Sequence, residues 1–259
     1  MAQTWNTLLF AHWPVPSETL RPLIPSALTL EQFGGQAWLG ITPFVLTGLR
    51  PRGAPAVPGL SAFPEINVRT YVTIGGKPGV YFFSLDAESA LAVSAARALY
   101  SLPYFRARFD VRVDAGTVTY ATVRRDGTAE FSAVYRPTGD ATRASAGTLT
   151  AWLTERYCLY AEDRRGMLYR AEIHHPPWLL RPASADIRRN TMTTPLGITL
   201  PDVAPVLHYA DTLHVHVWPP ERVRSAAPVA RTRSRWRAVA TAAALSGAIV
   251  LLRRARRTN

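Results

Sequence analysis

Phe63-Pro64-Glu65-Ile66-Asn67-Val68-Arg69-Thr70-Tyr71-Val72, then Gly75-Gly76-Lys77-Pro78-Gly79, then Val80-Tyr81-Phe82-Phe83-Ser84-Leu85-Asp86 reads as two strands joined by a turn. β-branched and aromatic residues fill both flanks, and glycine and proline fill the middle. Side chains alternate faces along a strand. Glu65, Asn67, Arg69 and Tyr71 therefore share one face, and Ile66, Val68, Thr70 and Val72 share the other. In a two-sided sheet this pattern is a polar outer face over an apolar core. In a closed sheet the same four polar residues point inward, where Glu, Asn and Arg are seldom buried without use. An internal Glu65–Arg69 ion pair is the structural alternative.

Outward from this hairpin the chain keeps the same character. Strands are expected near residues 7–13, 28–32, 36–46, 105–114, 116–125, 128–136, 168–176 and 206–218. Asp126-Gly127 is a hairpin turn, and Pro14 and Pro16 end the first strand. Short helices are expected at 18–23 behind Ser17, at 88–100 with Asp86 or Ser89 as cap, and from Ser145 to Tyr160. Residues 48–62 read as a loop. Strands that follow one another through turns, with few helices, give an α+β, mostly antiparallel β domain over 1–220 that closes into a barrel or a curled sheet. The 259 residues, 47% of them apolar, suffice for its core.

Charge divides the chain in two. Residues 221–259 carry ten arginines against Glu221 alone, whereas 1–220 carry twenty basic and seventeen acidic residues. The body is nearly balanced, so no specific nucleic-acid partner is expected. Lys77 is the only lysine, and Cys158 the only cysteine. A disulfide framework within one chain is excluded, and any amine nucleophile must be Lys77 or the chain terminus. Residues 1–20 show no secretory signal, which leads us to expect a cytoplasmic protein.

Several strings resemble the YqjF-like family, a bacterial family of unknown function with the domain of unknown function 2071. They are Leu9-Phe10-Ala11-His12-Trp13, the stretch from Phe63 to Val72, Gly79 to Ala87, Leu102-Pro103-Tyr104, and Leu153-Thr154-Glu155-Arg156-Tyr157. The resemblance covers about residues 5–218. That family is similar in turn to acetoacetate decarboxylase, which implies a cone-shaped antiparallel β barrel with a closed inner pocket. Leu20-Arg21-Pro22-Leu23-Ile24-Pro25 looks like the decarboxylase segment that leads into its first hairpin, and Glu65 falls where that enzyme has a pocket glutamate. The decarboxylase places two adjacent lysines after the proline that ends its helix, one of them forming the Schiff base. Here Pro103 is followed by Tyr104 and Phe105, so imine chemistry is not expected.

The candidate ligand-binding residues are Glu65, Asn67, Arg69, Tyr71, His12, Arg97 and Tyr104, around a small carboxylate or keto-type molecule in the pocket. Glu65 is the best catalytic candidate, as a general acid or base. His12 is either a polar pocket residue or a histidine bonded within the sheet. Arg97 either grips an anionic ligand or pairs with a carboxylate such as Asp86. No metal is expected: His214 and His216 are two apart on a strand, His174 and His175 are adjacent, and no third ligand has suitable spacing. There is no Gly-x-Ser-x-Gly, phosphate loop or dinucleotide fingerprint, and no cofactor is expected. A membrane-tethered structural protein without a ligand is the remaining reading.

The tail supports that tether. Residues 238–252 carry no charge and are flanked by Arg231, Arg233, Arg235, Arg237 on one side and Arg253, Arg254, Arg256, Arg257 on the other. As a helix they would reach about 22 Å, short of the roughly 30 Å hydrocarbon core. The readings are a spanning or interfacial helix on an anionic membrane, a disordered basic tail, and a segment that packs on a partner. Flanking arginines contribute about 1 kcal/mol each at an anionic surface. The full chain should float with anionic liposomes while a chain ending at Pro220 stays behind. Flotation that survives high salt marks insertion, and flotation lost with salt marks surface binding. No difference between the two chains removes the membrane reading.

Overall fold

The computed structural model describes residues 1–55, 61–89 and 100–223. In chain order its strands are β1 (Ala2–Val15), β2 (Thr29–Leu30), β3 (Ala37–Arg50), β4 (Phe63–Ile74), β5 (Lys77–Ala87), β6 (Tyr104–Asp114), β7 (Thr117–Arg124), β8 (Glu130–Pro137), β9 (Cys158–Glu162), β10 (Leu168–His174), β11 (Arg181–Asn190), β12 (Val206–Val217) and β13 (Glu221–Arg222). Helices are few and short, Ser17–Leu20 and Leu149–Thr154 being the α-helices that lie wholly among the described residues. Among the described residues no helix is long and apolar enough to cross a membrane. The run 238–252 lies outside the described residues.

The hairpin that set the expectation is present. Ile74 pairs with Lys77, leaving Gly75 and Gly76 as a two-residue turn with φ of +60° and +74°. Positive φ at both positions suits glycine and matches the twist of the flanking strands. Lys77 thus opens β5 instead of lying in the turn, and its Nζ sits 2.6 Å from the Glu172 carboxylate.

Five strands in the order β12-β1-β3-β4-β5 form the centre of the sheet, and each outer strand of the five divides its free edge between two partners. On β5, Val80 and Tyr81 pair with β9, while Leu85, Asp86 and Ala87 pair with β6. On β12, His216 and Val217 pair with β10, while His208 and Tyr209 pair with β11. β9–β10 joins one pair of ends and β6-β7-β8-β11 joins the other, so the sheet closes on itself twice. The expected mostly antiparallel β fold with few helices is borne out. The β5–β6 and β5–β9 pairings are parallel, which needs long crossovers. The expected helix at 88–100 would lie in the first crossover, but residues 90–99 fall outside the described residues.

This topology buries both faces of the central sheet. On β1, Leu9, Ala11 and Trp13 enter one core with Tyr120, Phe131 and Tyr135 from β7 and β8. The intervening Leu8 and Phe10 enter a second core with Leu159, Ala171 and Ile173 from β9 and β10. β4 is divided in the same way, with Ile66, Val68 and Val72 in the first core and Tyr71 in the second. Strands covered on both sides carry continuous apolar runs instead of clean alternation, as β3 does from Ala37 to Phe44.

Several boundaries differ from the sequence reading. The expected helix from Ser145 to Tyr160 is only Leu149–Thr154, capped by Thr148, whose Oγ1 accepts from the Ala151 amide. The strand-forming Cys158-Leu159-Tyr160 then leaves the helix to pair with β5 and β10. β11 was not anticipated, because the half-buried positions of Arg181–Asn190 include two small alanines, an arginine and an asparagine and give little apolar signal. β1 runs past Pro14 to Val15; its pairing with β12 stops at His12, so the proline lies where one edge of the strand is open. Ser17 is the first helical residue, not the cap.

Asp86, the carboxylate expected to cap the helix at 88–100 or to pair with Arg97, has a partner among the described residues. It is gripped by Arg124 through Nε–Oδ2 at 2.7 Å and Nη2–Oδ1 at 2.9 Å, with both side chains almost fully buried. The guanidinium carbon stands 3.9 Å from the Phe105 ring centroid. The bond ties β5 to β7 across β6. Asp86→Ala strands a buried cation and should cost about 3–5 kcal/mol in urea unfolding, while an Asp86→Leu/Arg124→Met pair should recover most of that loss. A single substitution costing under about 1 kcal/mol contradicts this assignment.

Candidate functional site

Under the second core lies a partly enclosed cavity with a solvent-accessible volume of about 100 Å³. The inward face of β4 supplies Glu65, Asn67 and Arg69, which are 4%, 6% and 9% exposed. The polar-outer-face reading of this strand is therefore excluded. Phe10, Phe44 and Phe82 come from β1, β3 and β5, Tyr104 opens β6, and Arg156, His175 and Trp178 come from the segments around β9 and β10.

Each polar group has a different fate. Asn67 accepts a short hydrogen bond from Thr42. Glu65 accepts from the Tyr104 hydroxyl at 3.1 Å. Burial lifts the Glu65 carboxyl from an ordinary 4.5 to about 8; the Tyr104 bond works against the rise, and the nearby Asp86 adds to it. At neutral pH Glu65 is thus a carboxylic acid with a proton to donate. The Glu65–Arg69 pair, the structural alternative, is not made.

Arg69 is the exception. Its Nη2 makes only a long contact, 3.5 Å, to the Leu153 carbonyl, and its Nε has no hydrogen-bond partner among the described residues. Its guanidinium lies 5.3 Å from the Phe10 ring centroid and 5.9 Å from that of Tyr71. No carboxylate among the described residues pairs with it.

The other expected residues fall in a second layer or elsewhere. His12 and Tyr71 are fully buried behind the cavity wall and bonded to each other, Tyr71 Oη to His12 Nε2, at 2.7 Å. Burial, helped by the charge of Arg69, pushes the His12 pKa well down and keeps the ring neutral. Arg97 lies outside the described residues. Lys77 does not line the cavity. Arg21 is spent on the carbonyls of Ile24, Pro25 and Leu28. Among the described residues no three His, Cys, Asp or Glu side chains gather as a metal set; His174 and His216 face each other across β10 and β12.

The family profile described as an uncharacterized conserved protein, DUF2071, matches residues 2–214. The chain belongs to the DUF2071 family. Uncharacterized protein YqjF of Bacillus subtilis (strain 168) is 51% identical over 220 residues, covering 85% of this chain and 90% of that protein. Among solved structures, the enduracididine biosynthesis enzyme MppR complexed with pyruvate has a TM-score of 0.62, with 12% identity over 87% of this chain and 91% of its own. Acetoacetate decarboxylase from Legionella pneumophila has a TM-score of 0.58, with 12% identity over 87% and 88% of the two chains. At such identity these structures show a shared fold.

Among the polar residues that line the DUF2071 cavity, Thr42 and Arg156 were not singled out from sequence. Arg156 sits inside one of the strings that carry the family resemblance. Its place in the cavity depends on a helix end and on Glu31, 125 residues away in the chain. No local pattern marks such a contact.

Because the folded chain holds a proton on Glu65 that the unfolded chain releases, the stability linked to it is full below about 4.5 and is lost as pH rises through about 8. Urea midpoints of this DUF2071 protein should therefore fall between about pH 5 and about pH 9 more steeply than those of Glu65→Gln. Equal slopes would place Glu65 in contact with bulk water.

Proposed function

We propose that this protein holds a small carboxylate or keto-type molecule, without covalent attachment, in the cavity beneath β4. The observation that carries the reading is Arg69, a buried guanidinium that faces the cavity and has no carboxylate partner among the described residues. A buried cation is costly unless it is paired, and an anionic guest supplies the missing partner. Glu65 and Tyr104 offer a second polar contact for a carbonyl. The likeness in fold to an enzyme complexed with pyruvate supports the same class of guest.

A second reading makes the protein an enzyme with Glu65 as general acid or base. The Glu65 value of about 8 favours it, since a proton-transfer group works best near the ambient pH. Residues 221–259 complete the proposal as a basic tether to anionic membranes; the structure describes only Glu221, Arg222 and Val223 of them.

Calorimetric titration of the full chain with pyruvate or acetoacetate should show saturable binding, weakened about tenfold or more by Arg69→Gln. Borohydride added to these mixtures should leave the protein mass unchanged. A stable adduct on Lys77 overturns the non-covalent reading. In D2O, exchange of pyruvate methyl protons that needs the wild-type chain and is lost in Glu65→Gln selects the enzyme over the binding protein.

A further inference from the structure

Among the described residues the cavity holds two guanidinium groups, and they meet a single acid. Arg156 pairs with Glu31 through Nη1 and donates from Nε to the Trp152 carbonyl at 2.6 Å, while its Nη2 has no partner among the described residues. Arg69 keeps its Nε open as well. Both charges lie over the same ring, with their guanidinium carbons 5.9 and 5.0 Å from the Tyr71 centroid. One positive charge is left over, with open N–H groups on both arginines.

The wall next to this charge is apolar. Phe10 lies under Arg69, and Trp178 meets Phe10 edge-on at 4.9 Å. Phe44, Phe82 and Leu159 continue the surface. At the far polar position Glu65 is met by Tyr104, and no cation among the described residues bonds to it. A second carboxylate on a guest would find no cationic partner there among the described residues.

Size narrows the class further. A water needs roughly 10–15 Å³ of accessible volume, so the 100 Å³ present holds about seven to ten water-sized positions. A guest of pyruvate's size fills the charged end and leaves water against aromatic faces, an unfavourable arrangement.

We infer that the guest is an amphipathic monocarboxylate of about eight to ten non-hydrogen atoms, an arylalkanoate or medium-chain alkanoate, with its carboxylate on Arg69 and Arg156 and its apolar body against Phe10 and Trp178. The inference rests on the reading of the cavity as a ligand site and names its ligand class.

Calorimetry on the full chain near pH 7 tests it with four probes: phenylacetate, 2-phenylethanol, pyruvate and succinate. Phenylacetate should bind about tenfold or more tighter than each of the other three. Arg69→Met should erase the advantage of phenylacetate over 2-phenylethanol and leave the alcohol's own affinity unchanged. Should that variant fail to fold, Arg69→Lys should narrow the same ratio, because an ammonium cannot reproduce the guanidinium fork. Equal binding of acid and alcohol overturns the carboxylate site. Pyruvate or succinate binding as tightly as phenylacetate overturns the ligand class and leaves the proposed function standing. Failure of all four probes to bind removes both.

Discussion

β4 has no solvent face. One side lies against the core closed by β7 and β8, and the other looks into the cavity, so Glu65, Asn67, Arg69 and Tyr71 must all be satisfied inside the protein. Buried polar groups that fail to find partners are strongly destabilising. Three of the four find theirs, Asn67 in Thr42, Glu65 in Tyr104 and Tyr71 in His12. Arg69 does not. The closure of the sheet on itself turns an ordinary alternating strand into a row of inward polar groups, one of which keeps an unpaired Nε among the described residues.

The last turn of the helix Leu149–Thr154 holds this arrangement in place. Helix ends leave carbonyls without intrahelical donors. Here the Trp152 carbonyl accepts from Arg156, the Leu153 carbonyl from Arg69 and the Thr154 carbonyl from the Trp178 indole. Two cavity cations and one cavity aromatic are thus anchored on three consecutive carbonyls, at the helix end where positive charge is favoured. The helix is only six residues long, so its stability comes from these contacts and its packing more than from propensity.

Sequence made the hairpin legible because Gly75-Gly76 and the flanking β-branched and aromatic runs are local signals. The inward face of β4 was legible only in part. Alternation groups Glu65, Asn67 and Arg69 together, but which side they face depends on strands more than fifty residues away. β9 and β11 escaped notice for different reasons. β9 is a five-residue strand held by partners on both edges, at β5 and β10, and β11 has alanine where a stronger apolar signal would stand. The family resemblance drew attention to Glu65 and Tyr104, which both line the cavity. It did not foretell that His12 and Tyr71 would satisfy each other one layer back, a question of which ring reaches which, and alternation does not encode that.

The exchange of lysine for tyrosine after Pro103 changes what the cavity is able to do. A buried lysine is readily neutralised, which makes it a nucleophile and a poor permanent anion site. An arginine stays charged when buried and attacks nothing. In this chain the cavity's cations are arginines, the single lysine is held by Glu172 away from it, and Tyr104 uses its hydroxyl on Glu65. A site so composed keeps a fixed positive charge at one end and an exchangeable proton on a carboxylic acid at another. Burial raises the Glu65 carboxyl to about 8, so a proton on this cavity group is exchangeable near neutral pH. Lys77 does not line the cavity, so the side-chain amine that an imine would need is held elsewhere by Glu172.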